Sequence, residues 1–411
     1  MSHVIAGPMA SFLLSHLGAD VVKIEAPEGG DVWRASKRRA DEPEAAGFTA
    51  LNAGKRSLAI DVRRSEGADV VRSLARTADV FIENFRPGVV ARHGLDFESI
   101  RKVRADIVYC SISGYGQAGP LAARGGYDHV VQALTGMMMM SGDTEDAPPQ
   151  KVGFPVIDIG TGMLGALAVV AALARRATQP EGQFIHVSLV QSALMLMYPP
   201  ASNCLTFNEE VQRAGNRGFS GSPGADTYRC LDGWVAVGAN TPQQFRQLAR
   251  ILAVEDLCED PRALDLAAFQ APGGGFVVPL DFPYVQGRLA EAFARQSAAV
   301  MEERLSQVAV PAARVRRLGE FLQESQATGM DQGFKAYTQG GRLVRTPGPG
   351  FRFMDEAHWP PQAGPGLGQD NEALLAEIGL EGDAVRKLVA DGVLLRSTRE
   401  DAVRDEPAAS R

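Results

Sequence analysis

Strand and helix patterns alternate along the first third of the chain, and this order restricts the possible folds more than any other feature. The strand patterns are DVVKIE (20–25), SLAIDV (57–62), DVFIENF (79–85) and DIVYCSISGY (106–115). Helical patterns lie between them, at 65–76 and near 97–103. Strands joined by helices of this length form right-handed βαβ units. We therefore predict a parallel sheet, with ligands beyond the carboxyl ends of its strands.

The beginning of this pattern is unusual. Residues 4–6 (VIA) predict a very short strand that enters a Gly7-Pro8 turn, followed by a helix over 9–17. A doubly wound sheet ordinarily opens with a full apolar strand. We therefore expect that a first strand is missing upstream.

Asp158 is a lone carboxylate in the segment FPVIDIGTGM (154–163), directly before the apolar run LGALAVVAALA. Burying an ionised carboxylate costs free energy unless N–H groups or a partner charge support it. Its place before a helical pattern that runs to about Arg175 predicts an N-cap, which contributes about 1 kcal/mol. Two glycines in the first turn, Gly160 and Gly162, suggest instead that something approaches the backbone closely. Asp158 would then be a nucleophile beside oxyanion donors, held ionised by the helix N-terminus.

Composition excludes several classes of function. The net charge of −7 argues against nucleic acid as a partner. The four cysteines have no C-x-x-C spacing and the six histidines no metal-ligand spacing, so we expect neither a metal nor a disulfide framework. The longest apolar run, 163–174, is too short to cross a bilayer. We expect a cytoplasmic protein without a membrane partner.

Several separated segments share one known pattern. They are VIAGPMASFLLSHLGADVVKIEAPEGGDVWR, LNAGKRSLAIDVR, ADVFIENFRPGVVARHGLDFESI, VYCSISGYGQAGP, GGYDHVVQALTG, PVIDIGTGMLGALAVVAALARR, RAGNRGFSGSPG, PGPGFRF and GPGLGQDNEALLAEIGL. In this order the segments resemble the class III CoA-transferases, the group of formyl-CoA transferase and crotonobetaine CoA-transferase. The resemblance spans nearly the whole chain.

The resemblance implies a chemical role for Asp158, which falls on the family's catalytic aspartate. In such enzymes this carboxylate attacks an acyl-CoA thioester, giving a mixed anhydride and then an aspartyl-CoA thioester. The implied function is a CoA-transferase that moves CoA from an acyl-CoA donor to a carboxylic acid acceptor. CoA thioesters are then substrates, and no cofactor is bound permanently. The alternatives are a racemase of the α-methylacyl-CoA type and a CoA-binding homologue without activity.

The same resemblance implies which residues contact CoA. The corresponding positions are Ile5, Ala6, Ile60, Asp61, Val62, Arg63, Asn84, Phe85, Arg86, Arg92, Arg124, Tyr127 and Asp128. Formyl-CoA transferases carry Gln at the position of Ile5 and often Arg at that of Ala26, so these departures disfavour a formyl or oxalyl substrate. The racemases carry a His at the position of Tyr127, and Tyr is a poor base near neutral pH.

A glycine loop is also implied. Gly218, Phe219, Ser220 and Gly221 correspond to the loop that folds over the active site in formyl-CoA transferase, although two of the four residues are not glycine. Gly218 and Gly221 supply hinge freedom in this interpretation. The alternative is an ordinary interdomain loop.

The fold class implied is α/β, with a Rossmann-like large domain built from amino- and carboxyl-terminal segments and a smaller α+β domain. We expect the large domain at 1–195, a linker and small domain at 196–330, a return linker and the rest of the large domain at 331–400, and a frayed tail at 401–411. Two subunits would form an interlocked, ring-like homodimer.

Overall fold

The computed structural model describes residues 1–396 except 37, 41, 43, 143, 145, 332, 352 and 354–361. The predicted tail at 401–411 lies outside the described residues. The chain forms two compact units. The first contains Met1–Met137, Lys151–Glu209 and the described part of Asp331–Arg411, and the second contains Met138–Gln150 and Glu210–Met330. The domain boundaries expected from the sequence stay predictions.

The elements are numbered in chain order. The strands are β1 (Val21–Glu25), β2 (Lys55–Ala59), β3 (Val80–Glu83), β4 (Val108–Ser113), β5 (Gln183–Ser188), β6 (Thr227–Arg229), β7 (Trp234–Val237), β8 (Ala312–Arg314), β9 (Lys335–Gln339) and β10 (Arg342–Thr346). The helices are α1 (Ala6–His16), α2 (Ala46–Leu51), α3 (Ser65–Ala75), α4 (Phe97–Arg101), α5 (Asp128–Leu134), α6 (Val156–Arg176), α7 (Leu189–Leu196), α8 (Tyr198–Phe207), α9 (Pro242–Leu252), α10 (Leu266–Gln270), α11 (Phe282–Phe293), α12 (Ala298–Gln307), α13 (Leu318–Thr328), α14 (Asn371–Ala376) and α15 (Asp383–Ala390).

Parallel strands dominate the first unit, as predicted. β1 pairs with β2, and β3, β4 and β5 pair in that order, all in parallel. β9 and β10 form an antiparallel hairpin in the same unit. The second unit has an antiparallel sheet in the order β6-β7-β8, with a core around Tyr228, Phe245 and Phe293. The fold is therefore mixed α/β.

The short strand predicted over residues 4–6 is wrong. Ala6 already belongs to α1, and Val4 has a φ of 61°, which no strand residue adopts. The Val4 N–H donates to the Asp31 carboxylate at 3.1 Å, so a contact from a distant part of the chain turns the backbone here. Among the described residues no strand precedes β1, and β1 does not pair with β3. The parallel strands therefore form two separate sheets.

Helix α6 packs one face closely in the first unit, and small residues on that face allow the close approach. A Cβ placed on Gly162 would lie 2.6 Å from the Met9 Cβ and 2.7 Å from the Ala6 carbonyl oxygen, both on α1. A Cβ on Gly165 would lie 3.5 Å from Ile112 of β4. By length and composition α6 could also span a bilayer, with a mean hydropathy of 2.0, but buried core helices often have the same composition.

Gly162 and Gly160 provide a matched test of this packing. Gly162→Ala should lower the free energy of unfolding by about 1–2 kcal/mol, because overpacking against Met9 and Ala6 outweighs the roughly 1 kcal/mol gain in helix propensity. Gly160→Ala is the control: its nearest neighbour is the flexible end of Leu196, 3.1 Å away, so we expect little loss. Denaturant unfolding of both variants measures the difference. Equal stability of the two variants would contradict the packing argument.

Candidate functional site

Asp158 lies inside the first turn of α6 and does not cap it. The helix begins at Val156, and the preceding Pro155 makes no side-chain capping bond. The prediction that Asp158 is the N-cap is therefore wrong. Its carboxylate is half-buried and has no hydrogen bond or ion pair to any residue that the structure describes. A carboxylate without protein partners is available to react with a bound molecule.

Asp128, at the start of α5, caps α6 instead. Its Oδ2 accepts hydrogen bonds from the backbone N–H groups of Ile157 (2.7 Å) and Asp158 (3.0 Å). These are two of the N–H groups that a helix leaves unpaired at its beginning. The cap comes from 30 residues earlier in the chain, and it joins the backbone of the candidate nucleophile directly to α5.

Gln132 holds Asp128 in this position. It lies on the next turn of α5, is fully buried, and its Nε2 donates to the other carboxylate oxygen of Asp128 at 2.5 Å. Its Oε1 accepts from the backbone N–H of Val152 at 2.9 Å, so the segment before α6 is held as well. The structure shows that the Asp128 carboxylate binds the first turn of α6. Whether Asp128 also contacts CoA stays a prediction.

The environment of Asp158 favours its protonated form. Removal from water, which is the larger cause, and the neighbouring carboxylate of Asp128 raise the pKa of Asp158 to about 7. The sequence predicts that the helix N-terminus holds this group ionised. The structure contradicts that expectation because the Asp128 carboxylate occupies the N–H groups that would have stabilised the charge.

The expected oxyanion donors are not free at the beginning of α6. Asp128 takes two of the first N–H groups, and those of Val156 and Ile159 donate to the carbonyl oxygens of Phe154 and Pro155. The glycines have a different role from the expected one, because the close neighbour of Gly162 is α1. Donors to a developing oxyanion must therefore come from other groups.

The structure brings two predicted CoA-contacting segments together. The Asn84 side chain makes two hydrogen bonds to the backbone of His3, both at 2.9 Å. The Asn84 Oδ1 accepts from the His3 N–H, and the Asn84 Nδ2 donates to the His3 carbonyl oxygen. The Phe85 ring stacks on the His3 ring with centroids 5.1 Å apart. Ile5 and Ala6 follow directly, and Ala6 lies against Gly162 of α6. These segments thus meet one helical turn from Asp158.

Three predicted cationic residues come after the carboxyl ends of two neighbouring strands: Arg86 and Arg92 follow β3, and Arg124 follows β4. Arg86, Arg92 and Arg124 are exposed and form no ion pair within the described residues. The Arg86 guanidinium lies next to Gly125, where an added Cβ would be 2.6 Å from Nη2. It therefore links the end of β3 to the loop that leads into α5. Cations without partners at this edge of a parallel sheet suit an anionic ligand.

The remaining predicted residues of the first unit lie at the end of β2. Ile60 is buried, whereas the Arg63 side chain is mostly exposed. Asp61 accepts from the Arg63 Nε at 2.7 Å, and this pair lowers the pKa of Asp61. Val62 packs partly against the core that includes Leu58 and Ile60. The structure shows no contact of this segment with Asp158.

Tyr127 is the residue before α5, and it is largely exposed. Its ring stacks loosely on His129, with centroids 6.4 Å apart. The residue after Tyr127, Asp128, is the buried group beside Asp158. Its carboxylate caps α6. Nothing in these contacts favours Tyr127 as a base for racemisation.

The predicted glycine loop lies in the second unit. Gly218 donates its N–H to the Ala225 carbonyl at 2.7 Å, Gly221 has a φ of 70°, and the Ser220 hydroxyl donates to Asn240. Phe219 is almost fully exposed, at 89 %. The loop borders a cavity of about 330 Å³ within that unit. Whether it closes over Asp158 stays a prediction.

Two residues of the site were missed by the sequence interpretation. Gln132 had a local signal, since Gln and Asp four residues apart on a helix commonly form a hydrogen bond. His3 had none, because the residues that hold it lie more than 80 positions away.

Comparisons with known proteins identify the family of this chain. The sequence pattern described as CoA-transferase family III matches residues 1–371. Succinate–glutarate CoA-transferase of Agrobacterium fabrum is 38% identical over 64% of this chain and 66% of its own length, so the chain spans just under two thirds of that relative. Mouse succinyl-CoA:glutarate CoA-transferase is 31% identical over 96% of this chain and 88% of its own length.

The crystal structure of a CAIB/BAIF family protein from Brucella suis is 30% identical, covers 92% of this chain and 97% of its own, and superposes with a TM-score of 0.76. The chain belongs to CoA-transferase family III.

Proposed function

We propose that this protein transfers CoA from an acyl-CoA donor to a carboxylic acid, with Asp158 as the nucleophile. The observation that carries the proposal is the Asp158 carboxylate itself. It is half-buried, it has no partner among the described side chains, and its backbone is fixed by Asp128. A positioned carboxylate of this kind can form and release an acyl bond without moving the helix.

The proposed reaction begins with acyl transfer to the protein. An Asp158 oxygen attacks the thioester carbonyl, the C–S bond breaks, and CoA leaves as a thiolate. The thiolate then attacks the Asp158 carbonyl of the mixed anhydride, which releases the donor acid as its carboxylate and leaves Asp158 as a CoA thioester. The electron pairs balance, and neither step consumes a proton.

The second half runs in the opposite direction. The acceptor carboxylate attacks the Asp158 carbonyl, and the C–S bond breaks to give a new mixed anhydride and a thiolate. The thiolate attacks the acceptor's carbonyl, which releases the new acyl-CoA and restores the Asp158 carboxylate.

Asp128 favours this chemistry through charge. Two carboxylates close together in a half-buried site disfavour the ionised form of Asp158, as its raised pKa indicates. Acylation converts Asp158 into a neutral group and removes the repulsion. The resting state is therefore destabilised relative to both covalent intermediates.

CoA would bind along the carboxyl ends of the parallel strands. We propose that Arg86, Arg92 and Arg124 face its phosphates, because they are exposed and unpaired in the described part of the chain. Residues 5–6 and 84–85, which meet beside α6, would hold the part of CoA nearest the thioester.

The proposed substrates are dicarboxylic acids longer than oxalate, of the size of succinate and glutarate. Two similar proteins are named for succinate or succinyl-CoA and glutarate. The chain also has Ile5 and Ala26 where formyl-CoA transferases carry Gln and often Arg. A panel of acyl-CoA donors and free acids decides this: turnover limited to formyl-CoA and oxalate would refute it.

We propose the interlocked homodimer as the assembly. Its support is a set of large apolar side chains left exposed on two consecutive helices: Leu194, Met195, Leu196, Leu205 and Phe207. Exposed apolar surface of this extent marks an interaction site. Sedimentation of the full chain should give a dimer, and Leu205→Glu with Phe207→Glu should weaken it. A wild-type monomer at micromolar concentration would rule the assembly out.

Trapping the covalent intermediate tests the nucleophile. After incubation with succinyl-CoA, hydroxylamine should convert Asp158 to a hydroxamate that mass spectrometry locates on the peptide containing α6. Asp158→Ala should lower kcat by at least about 10³-fold while CoA still binds. Arg86→Ala is the matched variant and should weaken CoA binding while the hydroxamate still forms at saturating donor. Full activity of Asp158→Ala would exclude the mechanism.

The pH profile tests the role of Asp128. Because the nucleophile must be ionised and its pKa is about 7, kcat/KM should rise with pH through about 7. Asp128→Asn removes the repulsive charge, which is the smaller cause of the raised pKa, so this rise should move to lower pH. Gln132→Leu keeps the charge but removes the hydrogen bond, so it should lower stability without that shift. Identical profiles for Asp128→Asn and the wild type would contradict the electrostatic argument.

A further inference from the structure

Thr161 carries a buried hydroxyl group that has no hydrogen-bond partner. The residue lies on α6, three positions after Asp158, and its side chain is fully buried. Within the residues that the structure describes, its Oγ1 atom makes no hydrogen bond. The large majority of buried polar atoms are paired, because removal from water without a replacement bond costs free energy. An unpaired hydroxyl at this place therefore calls for an explanation beyond packing.

The bond that a helical threonine usually makes is also absent. A threonine inside a helix commonly donates its hydroxyl proton to the carbonyl oxygen three or four positions earlier. For Thr161 these carbonyls belong to Asp158 and Ile157, and neither accepts a bond from it. Thr135 at the end of α5, by contrast, donates to the Val131 carbonyl at 2.8 Å. The proton of the Thr161 hydroxyl thus stays available for another acceptor.

Helix geometry places this hydroxyl next to the Asp158 side chain. Residues three apart on a helix lie on neighbouring turns of one face, with Cβ atoms roughly 5–6 Å apart. Helical side chains tilt toward the amino end, so the Thr161 side chain leans toward the turn that holds Asp158. The Asp158 carboxylate has no partner among the described residues, so it is free to rotate about its Cα–Cβ bond. Such a rotation brings an Asp158 oxygen within reach of the Thr161 Oγ1 atom.

Two steps of the proposed reaction place negative charge on an oxygen of Asp158 itself. When the CoA thiolate attacks the Asp158 carbonyl, a C–S bond forms and the carbonyl electron pair moves onto that oxygen. The pair then returns, and the bond to the donor carboxylate breaks. The acceptor carboxylate later attacks the same carbonyl and creates the same oxyanion. A donor for these two steps must therefore lie beside Asp158, whereas the other two steps place the charge on the substrate's oxygen.

The N–H groups at the beginning of α6 do not supply this donor. Those of Ile157 and Asp158 donate to the Asp128 carboxylate, whose charge also disfavours a second negative charge on Asp158. The oxyanion on Asp158 meets the same repulsion as the ionised carboxylate does. A hydroxyl group reduces this cost, because it donates to the oxyanion while it stays neutral.

We propose that the Thr161 hydroxyl is the oxyanion donor for the two steps at the Asp158 carbonyl. It donates a hydrogen bond to the Asp158 oxygen as the tetrahedral intermediate forms, and it keeps its proton when the intermediate collapses. Because this bond is absent in the resting protein, its full strength lowers the barrier to reaction. The inference rests on the proposed function of Asp158, and it adds a residue that the sequence did not mark as part of the site.

Thr161→Val and Thr161→Ser test this proposal in the full chain. Valine has nearly the shape of threonine but no hydroxyl, whereas serine keeps the hydroxyl. Each protein is mixed with excess succinyl-CoA without an acceptor acid, and rapid quenching with mass spectrometry follows the CoA adduct on Asp158. Thr161→Val should slow formation of this adduct by about 10²-fold at saturating donor, with an unchanged half-saturating concentration. Thr161→Ser should retain most of the wild-type rate.

Thr49→Val is the matched control. Thr49 is also fully buried, but its hydroxyl donates to the Gln339 Oε1 atom at 2.7 Å. Loss of that bond leaves the Gln339 oxygen unpaired, so Thr49→Val should lower the midpoint of denaturant unfolding and leave the rate of adduct formation unchanged. Thr161→Val removes an unpaired hydroxyl, so its unfolding midpoint should stay equal to that of the wild type or rise.

Three results would overturn the assignment of Thr161. They are a wild-type rate in Thr161→Val, an equal loss of rate in Thr161→Ser, and a loss of rate in Thr161→Val that is accompanied by a lower unfolding midpoint. Failure of the proposed function has a different signature, because the wild-type protein would then form no CoA adduct on Asp158. That result would remove the role of Thr161 together with the role of Asp158.

Discussion

The carboxylate of Asp128 holds the first turn of α6, and the position of the candidate nucleophile depends on this contact. The Oδ2 atom accepts from the N–H groups of Ile157 and Asp158, and Gln132 fixes the other oxygen. Capping and nucleophilic attack both call for a carboxylate at the beginning of a helix. In this chain Asp128 does the capping, so the side chain of the candidate nucleophile Asp158 is left without a hydrogen bond in the described structure.

This division affects stability as well as reactivity. The folded protein raises the pKa of Asp158 to about 7, above the ordinary value of 3.8. Between these two values the folded state binds more protons at this group than the unfolded state does. The contribution of Asp158 to stability is therefore most favourable below about pH 4, and it declines as pH rises toward 7. Conditions that ionise Asp158 are thus the conditions in which this group opposes folding.

Local patterns in the sequence predicted much of the fold, but contacts between distant residues were not predictable. The helix over 65–75 and the strand over 21–25 were predicted because their apolar periodicity lies within the segment itself. The strand expected at 4–6 fails because the Asp31 carboxylate takes the Val4 N–H. The cap was assigned to Asp158 because a cap supplied from 30 residues away leaves no pattern near the helix. The chemical role proposed for Asp158 came from the family resemblance, since the local sequence favoured capping and left catalysis open.

Residues 1–6 connect the carboxyl end of β3 with helix α6, and they therefore bear on the site. This segment begins at the carbonyl of Ile82, passes between Asn84 and Lys23, and ends where Ala6 packs on Gly162 of α6. It carries the predicted CoA contacts Ile5 and Ala6. Hydrogen bonds from Asn84, Asp31 and Lys23 hold this segment in place. Because CoA binding must order any segment that is not already fixed, these bonds would lower the entropic cost of binding in the proposed function.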